Sequence, residues 1–243
     1  MEPNDIDRLR RWSRDGFFVA PRLLRPERMR ELSEACDHVL AQVRAASRDQ
    51  GHSSTHVAGL LAPEYFADRP DLLTRLADAM SSREVTAQLD GLARIGEGLP
   101  NLRDTQYFHE PTERDDDGHW HRDGAGPAGS AGAPAGERRT LVRLRMAFAP
   151  DDHLEYVPGS HARPDTTEER RAIEKRLRDD ALSHEAVRIE LEPGDVCVFD
   201  TWGIHRARYR RARVRRTLDL LFGFGPRRPI GFDDAVKALM ARR

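Results

Sequence analysis

The chain has 243 residues, 38% hydrophobic and 33% charged, with a formal net charge of −1. A chain of this size can bury a core without staples, and its near-balanced charge excludes a general electrostatic pull toward nucleic acid or an anionic membrane. Lys occurs only at Lys175 and Lys237, and the many Arg residues interleave with acids instead of massing into a basic patch. Two distant cysteines, Cys36 and Cys197, make no disulfide framework and fit a reducing cytoplasm. The opening MEPNDIDRLRRW has no apolar h-region, and no stretch approaches the roughly 18 apolar residues of a membrane span. The expectation is a cytoplasmic, full-length protein whose partner is a small molecule, with neither nucleic acid nor membrane involved.

The first 90 or so residues read as mainly helical. Asp5 to Arg14 forms a short polar helix with Asn4 as a cap, ended by Asp15-Gly16. Phe17 to Ala20 is a short apolar run, read as an edge strand. Pro26 opens a helix whose Met29, Leu32, Cys36, Val39, Leu40 and Val43 make one apolar face. Residues 51–64 read as a loop, and Pro70 to Met80 and Arg83 to Ala93 as two more helices. After residue 100 the runs shorten, and Gly and Pro punctuate them. Strands are predicted at Asn101–Phe108, Thr140–Phe148, Ala186–Leu191, Val196–Phe199 and Thr217–Phe222. Two segments interrupt them. Gly124 to Gly136 is Gly/Ala/Pro-rich and reads as a flexible rim, with a lid as the alternative. Asp165 to Leu182 reads as a charged inserted helix capped by Thr166 or Thr167. A last short helix is predicted over the C-terminal FDDAVKALMARR. Helices first and strands afterwards indicate an α+β fold, with N-terminal helices backing a strand-built barrel.

The chemistry centres on His121-Arg122-Asp123. In a strand, residues i and i+2 share a face, so His121 and Asp123 can reach one metal together. The turn Glu192-Pro193-Gly194-Asp195 leads into the strand Val196–Phe199, and His205 follows five residues after Asp200, at a strand end. Two His and one carboxylate on one face of a metal form the ligand set of non-haem Fe(II) oxygenases, which leaves open positions for a chelating 2-oxo acid and O2. The far carboxylate of such an acid needs a cation. Arg216 lies eleven residues past His205, with Arg215 as its neighbouring competitor on the opposite face.

The order His121-x-Asp123, then Val157-Pro158-Gly159-Ser160-His161, then Pro193-Gly194-Asp195, then His205 and Arg216, resembles the phytanoyl-CoA dioxygenase family over residues 10–225. The resemblance implies a double-stranded β-helix (jelly roll) in a single domain over 1–243. Within it, 1–95 would be helical support, 100–225 the jelly-roll core and 165–182 the inserted helix. It also implies Fe(II) at His121, Asp123 and His205, with 2-oxoglutarate as co-substrate held by Arg216. A Gln and a Lys often line the co-substrate site in the family. Gln106 fits the first, and His109 stands at the second, with Glu110 as competitor. The small hydroxyl residue frequent two positions after the distal His is Ala207 here.

The reaction implied is hydroxylation of a small molecule, in secondary metabolism, with release of succinate and CO2. The alternatives are desaturation or cyclisation of a natural-product or carrier-bound substrate, or a jelly roll that binds a metal or small molecule without turnover. Related halogenases carry a small residue in place of the metal carboxylate, so Asp123 argues against halogenation. Trp120 and Trp202 flank the ligands as substrate contacts or as walls of the metal site. Arg143 and Arg145 alternate with Val142, Leu144 and Met146. Both, Arg145 among them, would meet an acidic substrate or the co-substrate if that face looked inward, although a solvent face with paired acids is the simpler reading. His161 reads as a turn residue. His119 lines either the pocket or its mouth, and His52, His56, His153 and His184 read as surface or loop residues.

Overall fold

The computed structural model describes residues 3–46, 55–93, 98–111, 114–123 and 140–224. The Gly124–Gly136 segment, His52 and the expected C-terminal helix lie outside these residues. The N-terminal half contains α1 (Pro3–Asp15), β1 (Phe17–Ala20), α2 (Pro26–Ala46), β2 (His56–Ala58), a 3-10 turn at Pro63–Phe66, α3 (Pro70–Met80) and α4 (Arg83–Thr86), the last followed by a second 3-10 turn at Ala87–Leu89. The strands β3 (Pro100–His109), β4 (Asp116–Asp117), β5 (Leu141–Ala147) and β6 (Asp151–Tyr156) come next. After α5 (Thr167–Glu174) the chain ends its described part with β7 (Val187–Leu191), β8 (Val196–Asp200), β9 (His205–Tyr209) and β10 (Arg216–Phe224).

Two sheets result. The larger runs β1-β8-β5-β10-β3-β2, and the smaller β4-β9-β6-β7. All the registered strand pairs are antiparallel. This is the mixed helix and antiparallel-sheet architecture of a double-stranded β-helix.

Strand alternation gives the larger sheet two different faces. Val142, Leu144 and Met146 of β5, Val196 and Val198 of β8, and Leu218, Leu220 and Phe222 of β10 join the helices in one core. They meet Leu32, Cys36 and Val39 of α2 and Leu72 and Leu76 of α3 there. Full burial of each such side chain contributes about 1.5–3 kcal/mol. The alternate residues therefore face the barrel interior. On β5 these are Arg143 and Arg145, on β10 Asp219, and on β8 Cys197 and Phe199; the last two pack with Leu154, Tyr156, Ile189 and Leu191 from the smaller sheet.

Several expectations change. The helix over Arg83–Ala93 is only a short α-turn and a 3-10 turn, and the stretch 51–64 contains β2. The charged helix shrinks to Thr167–Glu174, capped by Thr166 in a capping box with Glu169. Two functional strands, β6 and β9, carry too many charges to read as strands. Arg143 and Arg145 are buried, not solvent-facing. His153 is buried as well, its Nδ1 2.7 Å from an Asp151 carboxylate oxygen. No helix among the described residues is long and apolar enough to cross a membrane.

Candidate metal centre

Backbone hydrogen bonds place His121, Asp123 and His205 together. His121 and His205 exchange both N–H···O bonds at 3.0 Å, an isolated bridge outside any longer ladder. The Asp123 N–H donates to the Thr201 carbonyl at 3.0 Å. The expected strand geometry around His121 is thus replaced by one bridge and a turn, yet the two side chains still converge. The ligand atoms of His121, Asp123 and His205 all lie within 4.8 Å of one another. The Nε2 of His121 is 3.3 Å from Asp123 Oδ1, and the Nε2 of His205 is 3.8 Å from Asp123 Oδ2.

The donor set fits a divalent metal. The Nδ1 of His121 lies 2.8 Å from the His119 carbonyl, and the Nδ1 of His205 lies 2.9 Å from the Gly203 carbonyl. A carbonyl only accepts, so each ring carries a proton on Nδ1 and leaves Nε2 as the nitrogen that faces Asp123. Burial holds the His205 imidazole down, to about 3, and the neighbouring His121 adds to this, so His205 is neutral. Burial would raise the Asp123 carboxyl, but the Arg143 charge and the His121 hydrogen bond outweigh it and hold it well below the usual carboxylate range. The site therefore presents a neutral imidazole at His205 and a carboxylate at Asp123; burial would lower His121, but the Asp123 hydrogen bond and charge outweigh it and raise it. The turn that delivers His205 depends on Gly203, where an added Cβ would sit 1.7 Å from the Tyr156 hydroxyl. That hydroxyl donates to the Asp200 carbonyl at 3.0 Å.

The remaining expected residues fall on both sides of the sheet. Gln106 points inward. Its Nε2 donates to Asp104 Oδ2 at 2.9 Å, and its Oε1 accepts from Arg143 Nη1 at 2.8 Å. Arg145 is also inside, but its guanidinium is locked to both Asp219 oxygens by bonds of 2.8 to 3.3 Å. Its charge is paired there through Nε and Nη2, while Nη1 is buried without a hydrogen-bond partner. His109 shares the face of Tyr107, which belongs to the helix-side core, and its Nδ1 lies 2.8 Å from the Glu110 carbonyl. It does not enter the barrel. Trp120 also turns away. It packs with Val157, Ala172, Leu182 and Ile204, with the Arg206 guanidinium 4.3 Å from its ring centroid. Trp202 is buried in the turn before His205, its backbone N–H held by Asp200 Oδ1 at 2.9 Å. His161 is buried against Gly16, in keeping with a turn role.

Arg216 is the main correction. It has the parity of Leu218 and Leu220, so it stands on the helix side of β10, hydrogen-bonded to Glu110 and 3.5 Å from an Asp37 oxygen. Arg215 takes the inward face with Thr217 and Asp219. Its side chain is wholly buried and makes no hydrogen bond through Nε, Nη1 or Nη2. Asp151 lies 3.3 Å from its Nε. The rings of Phe108 and Tyr209 flank the guanidinium, with centroids 4.7 and 4.8 Å away. Thr217 Oγ1 is likewise buried without a hydrogen-bond partner. Unsatisfied guanidinium donors in a protein interior are costly, and a bidentate carboxylate would satisfy them. Sequence reasoning undervalued three residues here: Arg143, Arg215 and Gly203. The usable signal was charge recurring every second residue within otherwise apolar strands.

Comparison with known proteins agrees with this architecture. The phytanoyl-CoA dioxygenase (PhyH) family profile matches residues 12–217. No curated protein sequence matches the chain. Among solved structures, AviO1 from Streptomyces viridochromogenes Tue57 is 22% identical with a TM-score of 0.57, covering 92% of this chain and 97% of that one. The non-heme alpha ketoglutarate dependent epimerase SnoN from nogalamycin biosynthesis is 18% identical with a TM-score of 0.59, covering 93% and 87%. EctD from S. alaskensis, solved with 2-oxoglutarate and 5-hydroxyectoine, is 17% identical with a TM-score of 0.57, covering 92% and 76%.

Proposed function

We propose, given that this chain belongs to the phytanoyl-CoA dioxygenase family, that it is an Fe(II)- and 2-oxoglutarate-dependent oxygenase acting on a small molecule. The observation that carries this reading is the convergence of two tautomer-fixed imidazoles and Asp123 on one point. Bound there, Fe(II) with 2-oxoglutarate and O2 supplies the oxidising power to attack an unactivated C–H bond, with release of succinate and CO2.

His121, Asp123 and His205 would hold the metal. Arg215, not Arg216, would hold the far carboxylate of 2-oxoglutarate, because it is the buried guanidinium with unused donors on the barrel side of β10. Phe108 and Tyr209 would exclude water from that ion pair, which strengthens it. The side chain of His121 remains 35% exposed, so a small-molecule substrate can approach the centre from that side.

Hydroxylation is the expected outcome. The likeness to SnoN, an epimerase, supports a second reading in which the same site abstracts a substrate hydrogen without leaving oxygen on the product. Anaerobic addition of Fe(II) and 2-oxoglutarate should produce a visible charge-transfer band, and admission of air should yield succinate. Absence of both would reject the reading. A product heavier by one oxygen would identify hydroxylation, whereas an isomer or a product lacking two hydrogens would identify the alternative.

A further inference from the structure

The two Asp123 oxygens have different surroundings. Oδ1 faces the Nε2 of His121 at 3.3 Å, while Oδ2 accepts a hydrogen bond from Arg143 Nη2 at 2.8 Å. Arg143 is itself held in place. It projects inward from the centre of β5, where it pairs with Phe199 of β8 and Leu221 of β10. Its other terminal nitrogen donates to Gln106 Oε1 at 2.8 Å, and Gln106 is tethered to Asp104 at 2.9 Å. Asp219 Oδ2 lies 3.7 Å from the same nitrogen. The guanidinium is thus held by groups from β3 and β10 as well as by Asp123, with 9% of its side chain exposed.

A carboxylate can bind a metal through one oxygen or both. Binding through both occupies a coordination position that a chelating co-substrate needs. In this site the second oxygen would first have to give up a part-buried, charge-assisted hydrogen bond, a kind roughly twice as strong as a neutral one. The Arg143 charge also opposes a dication at short range. Both effects lower metal affinity while preserving open positions.

We infer that Arg143, anchored by Gln106 and Asp104, is a positioning residue that restricts Asp123 to single-oxygen ligation and so keeps room for 2-oxoglutarate. This rests on the functional reading above. It assigns Gln106 a structural task, the orientation of Arg143, in place of direct contact with the co-substrate.

Redox-inert Co(II) separates this role from simple support of the fold. Co(II) affinity would be measured from its visible absorption, and 2-oxoglutarate affinity by calorimetry on the Co(II)-loaded protein. Arg143→Met should bind Co(II) as tightly as the wild type or more tightly, yet bind 2-oxoglutarate about ten-fold or more weakly, with an altered Co(II) spectrum. Arg143→Lys, which keeps a donor and the charge, should recover much of the 2-oxoglutarate affinity. Gln106→Leu should show the same split on a smaller scale, and it decides the matter if Arg143→Met does not fold. Parallel weakening of both affinities, or no change in either, overturns the inference. If the wild-type protein takes up no Co(II), the functional reading falls and this inference with it. If it takes up Co(II) and 2-oxoglutarate and the variants behave identically, only the role of Arg143 falls.

Discussion

Arg215 and Arg216 are neighbours in the chain but stand on opposite faces of the larger sheet. Arg215 is sealed in the barrel between the rings of Phe108 and Tyr209, while Arg216 pairs with Glu110 beside α2. Backbone alternation separates them, so they should respond oppositely to mutation. Arg215→Leu should raise the 2-oxoglutarate KM about 100-fold, as expected when a desolvated charge pair worth a few kcal/mol is lost. Arg216→Ala should change it less than about three-fold, the scale of a surface pair. Steady-state succinate formation over a range of 2-oxoglutarate concentrations checks both. An unchanged KM in Arg215→Leu would remove Arg215 from the co-substrate site.

Gly203 controls the delivery of His205. A methyl group there would overlap the Tyr156 hydroxyl, so either the turn or Tyr156 must shift. Gly203→Ala should destabilise the protein by about 1–3 kcal/mol, the usual cost of overpacking, and should weaken metal binding, because the Gly203 carbonyl fixes His205 Nδ1. Thermal unfolding in EDTA together with Co(II) titration measures the two effects separately. Wild-type metal affinity in the variant would show that the turn has slack.

The pair Arg145 and Asp219 bridges β5 and β10, with Asp219 wholly buried. Removal of one partner strands a charge and costs about 3–5 kcal/mol, whereas removal of both costs far less. Asp219→Asn alone should therefore lower the melting temperature sharply. The double substitution Arg145→Met with Asp219→Leu should recover a large part of the loss. Additive losses in a double-mutant cycle would contradict the pairing.

Glu169 closes the capping box of α5 and accepts two hydrogen bonds from Arg163. Burial would raise its carboxyl, but the Arg163 hydrogen bond and the Thr166 backbone N–H together hold it below the ordinary glutamate value of 4.5. A depressed carboxyl adds stability above its unfolded pKa, and that stability disappears as pH falls through the folded value. Glu169→Gln should accordingly cost about 1–2 kcal/mol at pH 7. The difference from wild type should shrink as pH drops below 4.5. Denaturant unfolding at several pH values tests the sign, and a gap that widens in acid would refute it.

Much of the architecture was legible from the chain alone. Period-3.6 apolar spacing marked α2, and short apolar runs marked β5, β8 and β10, because the helix-side core needs apolar residues at those positions. Thr166 or Thr167, followed by glutamates, announced the start of α5, and the structure gives the cap to Thr166. The order His121, Asp123, His205 was readable because a metal demands those ligand types whatever the local backbone does. The strands β6 and β9 escaped notice. Each alternates charged residues with its inward ones, and their charges are satisfied by partners distant in sequence, such as Arg206 with Glu155 at 2.6 Å.

The sequence by itself determined which donor types could meet at a metal, and that an Arg would follow the last of them. Only the tertiary structure decided which Arg. Counting from His205 cannot establish face parity, because the turn between β9 and β10 resets the alternation. The pairing of β10 with β3 and β5 then sends Arg215, Thr217 and Asp219 into the barrel and leaves Arg216 to the helices. The same pairing turned Arg143 toward Asp123. It brought a charged residue, one that from its neighbours alone looked bound for solvent, to 2.8 Å from the candidate metal carboxylate.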